Sequence, residues 1–452
     1  MVTRSGSIGA VVVAVIVMAV LAVQMPAATR ASQTTSDENA MTVSRDLTVH
    51  EWGTFTTVAG EDGRAVEWLP LGGPIDLPCF VYSFNRTLKF GLPDGGAVPD
   101  YATARNTLRG KVRMETPVLY FYATRPATVD VSVRFDKGLF SEWYPDAVVN
   151  LPAGYPFNSR IPFGMTEEAA RASIFWKDVR IMPDADPSFP VDQRPSHYYA
   201  ARATDATPIS YKGEREKFLF YRGIAAFDPP IVATVVDNGT VTLANRSGAD
   251  VPHVLIFARH GSRHGFSVQG RLSADQEVNV VLPSAERPLD DVMQELEQTL
   301  VAQGLFVKEA QAMIATWRDS WFEDDTRLFY IVPPAMVDRV LPLDVDPKPA
   351  SIARVFVGRV ELITSSEINV VAKALDEKDH DVLERYGRLL GPIGDRVLAK
   401  TSEPEARAEM RAQLNDRLKA IAARVTECGQ TRMPETTAAL MQVLSTAAAP
   451  VP

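Results

Sequence analysis

Between residues 47 and about 283, apolar and polar residues change places at every second position, and that period of two limits the fold more than any other feature. It is the repeat of a strand with one buried face, because successive side chains of a strand point to opposite faces. Thr128-Val129-Asp130-Val131-Ser132-Val133-Arg134-Phe135 keeps it strictly, and follows Val118-Leu119-Tyr120-Phe121-Tyr122 across Arg125-Pro126-Ala127, a hairpin pattern. Segments 231–236 and 240–243 flank Asp237-Asn238-Gly239, where Asn-Gly suits the positive φ of a type I′ turn. Segments 254–258, 266–269 and 277–282 continue the series. Strands joined by turns with no helix between them pair antiparallel. The expectation is a mainly β body, an antiparallel sandwich or barrel-like, over residues 47–365.

Helices interrupt this body at 287–322. Leu289, Val292, Met293, Leu296 and Leu300 hold a 3.6 period and Gly304 suits a C-cap; Ala310, Met313, Ile314, Trp317 and Trp321 then repeat the period. Strands return at 328–332 and 353–363. Thr364 with Glu367 forms a capping box that opens a C-terminal α-helical region over 366–430, and Ser402 with Glu405 starts its second half. Residues 431–452 read as a partly disordered tail. After Phe356 the only aromatic residue is Tyr386. Chemistry that needs aromatic walls therefore belongs to the β body, and the helical region reads as a packing or docking element.

Ahead of the body, Arg4 precedes an apolar run over 8–23 that ends at Gln24 and Pro26, with small residues around Ala28 and Ala31. This is the layout of a signal peptide, residues 1–31, and the run is short for the roughly 30 Å of a bilayer's hydrocarbon core. An uncleaved leader is the only membrane attachment the sequence offers. Residues 32–46 are small and polar, a flexible leader. Cleavage removes Arg4 and Arg30 and takes the net charge of -9 to -11. An acidic chain with no basic block is not built for nucleic acid, and 46% hydrophobic residues are too many for intrinsic disorder. Export to the periplasm or the medium would let Cys79 and Cys428 form one disulfide. A bonded pair leaves the mass unchanged under alkylation without reduction; two separate buried thiols do not.

The densest chemical signal is His50-Glu51-Trp52-Gly53-Thr54-Phe55-Thr56, and the Glu-Trp step recurs at Glu67-Trp68 and Glu142-Trp143. Carboxylates beside indoles suit sugars, whose apolar faces stack on rings while acids bond hydroxyls or move protons. In an alternating strand the same step is also plain patterning, with Glu outside and Trp inside. Glu51, Glu115 and Glu142 are the catalytic candidates. His50, Trp52, Trp143, His197 and Arg222 are the binding candidates. His50, Glu51 and His197 would hold a metal if they converged. Arg259-His260-Gly261-Ser262-Arg263 resembles the short signature of histidine phosphatases, but it lies late in the chain between two strands and reads as a hairpin tip. No sequence feature names a cofactor.

The opening heptad, with Met114-Glu115-Thr116-Pro117-Val118, Glu142-Trp143-Tyr144-Pro145 and Phe218-Leu219-Phe220-Tyr221-Arg222-Gly223, resembles an uncharacterised family of exported bacterial proteins. The resemblance implies export and brings no catalytic residue. The leading expectation is a non-catalytic, envelope-associated binding protein whose partner is a cell-envelope component or carbohydrate. The alternatives are a secreted hydrolase acting on carbohydrate through the Glu and Trp clusters, and a metal-dependent enzyme built on His50, Glu51 and His197.

Overall fold

The period of two becomes three sheets in a computed structural model that describes residues 44–73, 76–83, 108–150, 171–237 and 239–423. The largest has nine strands, in the order β14 (Arg263–Val268), β13 (Val254–His260), β16 (Asp325–Ile331), β18 (Pro349–Leu362), β1 (Ser44–Val58), β3 (Val112–Ala123), β10 (Phe218–Ala225), β5 (Gly138–Tyr144) and β2 (Tyr82–Ser83). A second sheet has the order β17 (Leu343–Asp346), β4 (Ala127–Asp136), β7 (Arg171–Ile181), β8 (Ile209–Tyr211) and β9 (Glu214–Glu216), with β6 (Val148–Asn150) on β7. The third consists of β11 (Ile231–Asp237), β12 (Thr240–Asn245) and β15 (Glu277–Val281). The fold is mainly β with inserted helices and a C-terminal helical region, as the sequence predicts, but the sheets stay open and close no barrel.

Two kinds of strand explain how the sequence reads. β4 alternates between buried and open positions, and its pattern is strict because only one face is covered. β5 and β10 are buried at every position, and β3 at all but its last two. Strands covered on both faces read as apolar runs, and any charged residue in them is buried whichever way it points. Trp176 on β7 meets Tyr221 on β10, and Phe135 on β4 meets Phe140 on β5, so the second sheet packs on the first.

One pairing departs from the antiparallel expectation. β1 lies parallel to β18 from Thr48↔Ser351 to Val58↔Glu361 and antiparallel to β3 on its other side, so the first and last strands share the centre of the sheet. Gly53 belongs to this arrangement. A Cβ there would stand 2.7 Å from the Phe356 ring on β18, so it is a neighbouring side chain that needs the glycine.

The inserted helices are α1 (Leu289–Ala302) and α2 (Val307–Trp321), with Gly304 after α1 at φ 112 as the C-cap reading requires. A short α3 (Pro334–Val340) and strand β17 follow, neither of them expected from the sequence. The C-terminal region comprises α4 (Ser365–Glu377), α5 (His380–Arg385), α6 (Leu390–Lys400) and α7 (Pro404–Ala423). Thr364 caps α4 in the expected box with Glu367. These helices bury a second apolar cluster that includes Leu375, Ile393, Val397 and Leu414 together with Val58 and Trp68 from the β body.

The leader ends earlier than expected, since β1 already begins at Ser44. The predicted signal peptide, Asn238 of the predicted turn, Cys428 and the tail 431–452 lie outside the described residues. Among the described residues no helix is long and apolar enough to cross a membrane.

Candidate functional site

The sequence-predicted residues do not assemble one cleft. Glu51 is fully buried on β1; Arg354 donates from Nε to its Oε2 at 2.6 Å, and the Tyr221 hydroxyl donates to its other oxygen. Arg354 is anchored further by Asp338 at 2.9 Å and the Leu341 carbonyl at 2.7 Å. The adjacent His50 points the other way, as alternation demands, and its Nδ1 lies 2.8 Å from Glu309 Oε2. Glu309 also accepts from Tyr122 Oη at 2.9 Å and from the Phe306 amide at 2.7 Å, so this carboxylate caps α2 and fastens it to the sheet. His197 is exposed at the start of a 3-10 turn, His197–Arg202. The three proposed metal ligands thus stand apart.

Glu115, Glu142 and Arg222 do come together, within a buried charge network. Arg222 faces Glu142 across β10 and β5 and donates to Asp76 at 2.8 Å. Burial works to lower the Arg222 pKa, but Asp76, Glu142 and Glu115 outweigh it and hold the guanidinium above its ordinary value. Glu115 accepts from Thr56 at 2.9 Å, pairs with Arg113 at 2.9 Å, and reaches Arg388 of the C-terminal region at 3.6 Å. Trp52 and Trp143 are core residues, 0% and 2% exposed, and offer no wall to a ligand.

Arg388 leads to a cleft that the sequence did not single out. It has a volume of about 510 Å³ and opens between the end of the nine-stranded sheet and the C-terminal helices. Three local structures build it. At the corner between α2 and β16, the buried Arg327 donates to the carbonyls of Trp321, Glu323 and Asp324, which wraps the turn around one guanidinium. Glu361, opposite Arg327 in the β16–β18 register, bridges Arg327 at 3.2 Å and Arg359. Burial raises the pKa of Glu361, but Arg327 and Arg359 more than reverse this and keep it below its ordinary value. That part of the wall is neutralised.

Glu323 and Asp324, also in the lining, are paired with Arg359 at 3.0 Å and Arg259 at 3.3 Å, but two further carboxyls are not paired among the described residues. Glu367 is 3% exposed; its Oε2 accepts from the amide and hydroxyl of Thr364, while Oε1 is buried without a hydrogen-bond partner and the residue lines the cleft. Asp325, at φ 90 in a backbone region that favours glycine, also lines the cleft and forms no ion pair among the described residues. Burial, followed by the charge of Glu367, pushes its carboxyl up to about 7; Arg327 opposes this, and Glu361 and Glu323 add to it. Tyr386 lines the same space, its phenol raised by burial and by Asp325 and Glu367. Trp68 also borders the cleft but is itself 2% exposed, its indole N–H donating to the Lys111 carbonyl at 3.2 Å. Of the three Glu-Trp steps, only Glu67-Trp68 reaches this cleft region.

Two sequence signals pointed here without being read as a site. Glu367 was legible as a cap, which explains one of its oxygens and leaves the other. Tyr386 was legible as the lone aromatic of the helical region. Among the described residues, no group of three or more His, Cys, Asp or Glu side chains is placed to hold a metal ion. The Arg259–Arg263 motif forms the β13–β14 hairpin tip, with Gly261 at φ 64.

No family model matches the chain, and no curated protein matches it. Among solved structures it is similar to the yeast delta-COP-I mu-homology domain, alone and complexed with a Dsl1 WxWxV peptide. These matches have TM-scores of 0.24 and 0.23 at 7% identity, and cover 70% of this chain and 96% of those chains.

Proposed function

We propose that the chain is an exported, non-catalytic binding protein of the cell envelope, and that its ligand presents a positively charged group to Asp325 and Glu367. The observation that carries this reading is the buried, unpartnered Glu367 Oε1, in the same cleft as the Asp325 carboxyl that burial, and after it this glutamate, push up to about 7. A buried acceptor without a donor is costly, and a ligand ammonium or guanidinium would satisfy both acids at once. The fixed ion pairs of Glu51 and Glu115 favour binding over catalysis, because neither acid is left to attack a substrate or to move a proton. Export, membership of the exported bacterial family and a Cys79–Cys428 bond belong to the same proposal, with an amino sugar of the envelope as the carbohydrate that fits it.

The test is a thermal-shift and calorimetric comparison of matched probes: octylamine against octanol, and glucosamine against glucose. The amine of each pair is expected to bind, and Asp325→Asn with Glu367→Gln to abolish the preference. Amines that bind no better than their neutral counterparts would overturn the reading. A second reading, a hydrolase, rests on Asp325 alone: a carboxyl near 7 is suited to general acid catalysis. It predicts glycoside turnover that disappears in Asp325→Asn while binding persists.

A further inference from the structure

Beside the acidic cleft lies a second lobe of opposite character. This lobe, of about 490 Å³, lies between α6, α7 and the segment around Glu67, and it shares Trp68, Gly72, Arg388 and Ile421 with the first. Its charged groups are Arg109, Arg388, Arg407 and Arg411 against Glu67 and Asp395. Four guanidiniums therefore face two carboxyls, and one of those is weakened. Burial raises the Asp395 pKa against the pull of Arg109 and Arg411. Arg407 is held by the Thr401 carbonyl at 2.8 Å, where it closes the end of α6 and keeps its charge. Arg109 and Arg411 are exposed at the rim. The floor is apolar, with Leu414, Leu418 and Ile421 of α7.

Resting on the reading above, we infer that the ligand is dipolar: a cationic group between Asp325 and Glu367, a carboxylate or phosphate at Arg109 and Arg411, and a short apolar stretch over Leu414 and Leu418. Three observations support this. The two lobes adjoin, since Trp68 and Arg388 line both. Carboxyls outnumber guanidiniums in the lining of the first lobe, five to three, and guanidiniums outnumber carboxyls in that of the second, four to two. The surface of the second lobe that is not charged is aliphatic, so a purely polar ligand would leave it uncovered. Arg388 stands where the lobes meet and is already tied to Glu115, which fixes the junction while leaving the rim arginines free to take the anion.

The experiment uses the full chain and four probes of one length, ω-aminooctanoate, octylamine, octanoate and octanol, followed by ω-aminohexanoate and ω-aminododecanoate. ω-Aminooctanoate is expected to bind at least about 5–10-fold more tightly than octylamine, the range of one well-placed charged contact. Arg411→Gln, on the exposed face of α7, should reduce ω-aminooctanoate to the affinity of octylamine and leave octylamine unchanged. Asp325→Asn should reduce it to the affinity of octanoate. A clear optimum in chain length would measure the spacing of the two subsites. Equal binding of octylamine and ω-aminooctanoate, or no response to Arg411→Gln, would overturn the dipolar ligand while leaving the cation site standing. If octanoate alone binds, or no probe does, the cation site itself fails.

Discussion

The first strand passes one charge cluster at its middle and another at its far end, and the two are built from the same residue types with opposite results. At its middle, every acid has a dedicated partner: Glu51 has Arg354 and Tyr221, and Glu309 has His50, Tyr122 and a backbone amide. Near its end, past Thr56, Asp325 has no ion pair among the described residues and one buried oxygen of Glu367 has no hydrogen-bond partner. A buried carboxylate is thus no sign of function in itself. Partnering separates the framework from the site, because an ion pair whose members satisfy each other has nothing left for a ligand.

Substitutions in the two clusters should therefore behave differently, and the largest effect belongs to the satisfied one. Glu51→Ala strands Arg354 and Tyr221 in the core and should cost about 3–5 kcal/mol in urea denaturation. Glu51→Ala with Arg354→Met should recover much of that loss, with octylamine affinity unchanged. A small loss of stability accompanied by lost binding would move Glu51 into the site and erase the contrast.

At the open end the sign reverses. The folded-state pKa of Asp325 lies above its ordinary value, so between 3.8 and about 7 the folded chain holds a proton that the unfolded chain has released. Its stabilising contribution is complete below 3.8 and is lost as pH rises through about 7. Asp325→Asn removes that loss. It should match the parent in acid and exceed it above neutrality by on the order of 1–2 kcal/mol, read as a difference between two thermal-melt pH profiles. Parallel profiles would place Asp325 among the satisfied acids. The smallest effect sharpens the contrast from outside: His197→Ala, at an exposed position, should change stability by no more than about 0.5 kcal/mol and leave binding alone.

How much of this could be read from the sequence depended on whether the signal was local. β4, the hairpin around Arg259–Arg263, α1 with its glycine cap and the Thr364–Glu367 box all follow from neighbours in sequence, and all are present. The parallel partner of β1, strand β17 and helix α3 carry no such signal, since they are decided by packing. The candidate residues failed for a related reason. Glu51, Glu115 and Arg222 look conspicuous inside apolar runs, but strands buried on both faces make every charge conspicuous and pair most of them. The cleft residues look ordinary because they sit at a helix cap, a turn and the end of a short helix, and only the fold brings Asp325, Glu367 and Arg388 to one place.

The β1–β18 pairing also bears on the order of events during synthesis. Glu51 and Arg354 are 303 positions apart, so the middle of the largest sheet cannot form until about four fifths of the chain has been made. Pairings of such long range make folding slow, because the loop between them must be closed before any contact rewards it. An amino-terminal fragment has a first strand paired with β3 on one side and with nothing on the other, so that edge stays open until the last strand arrives.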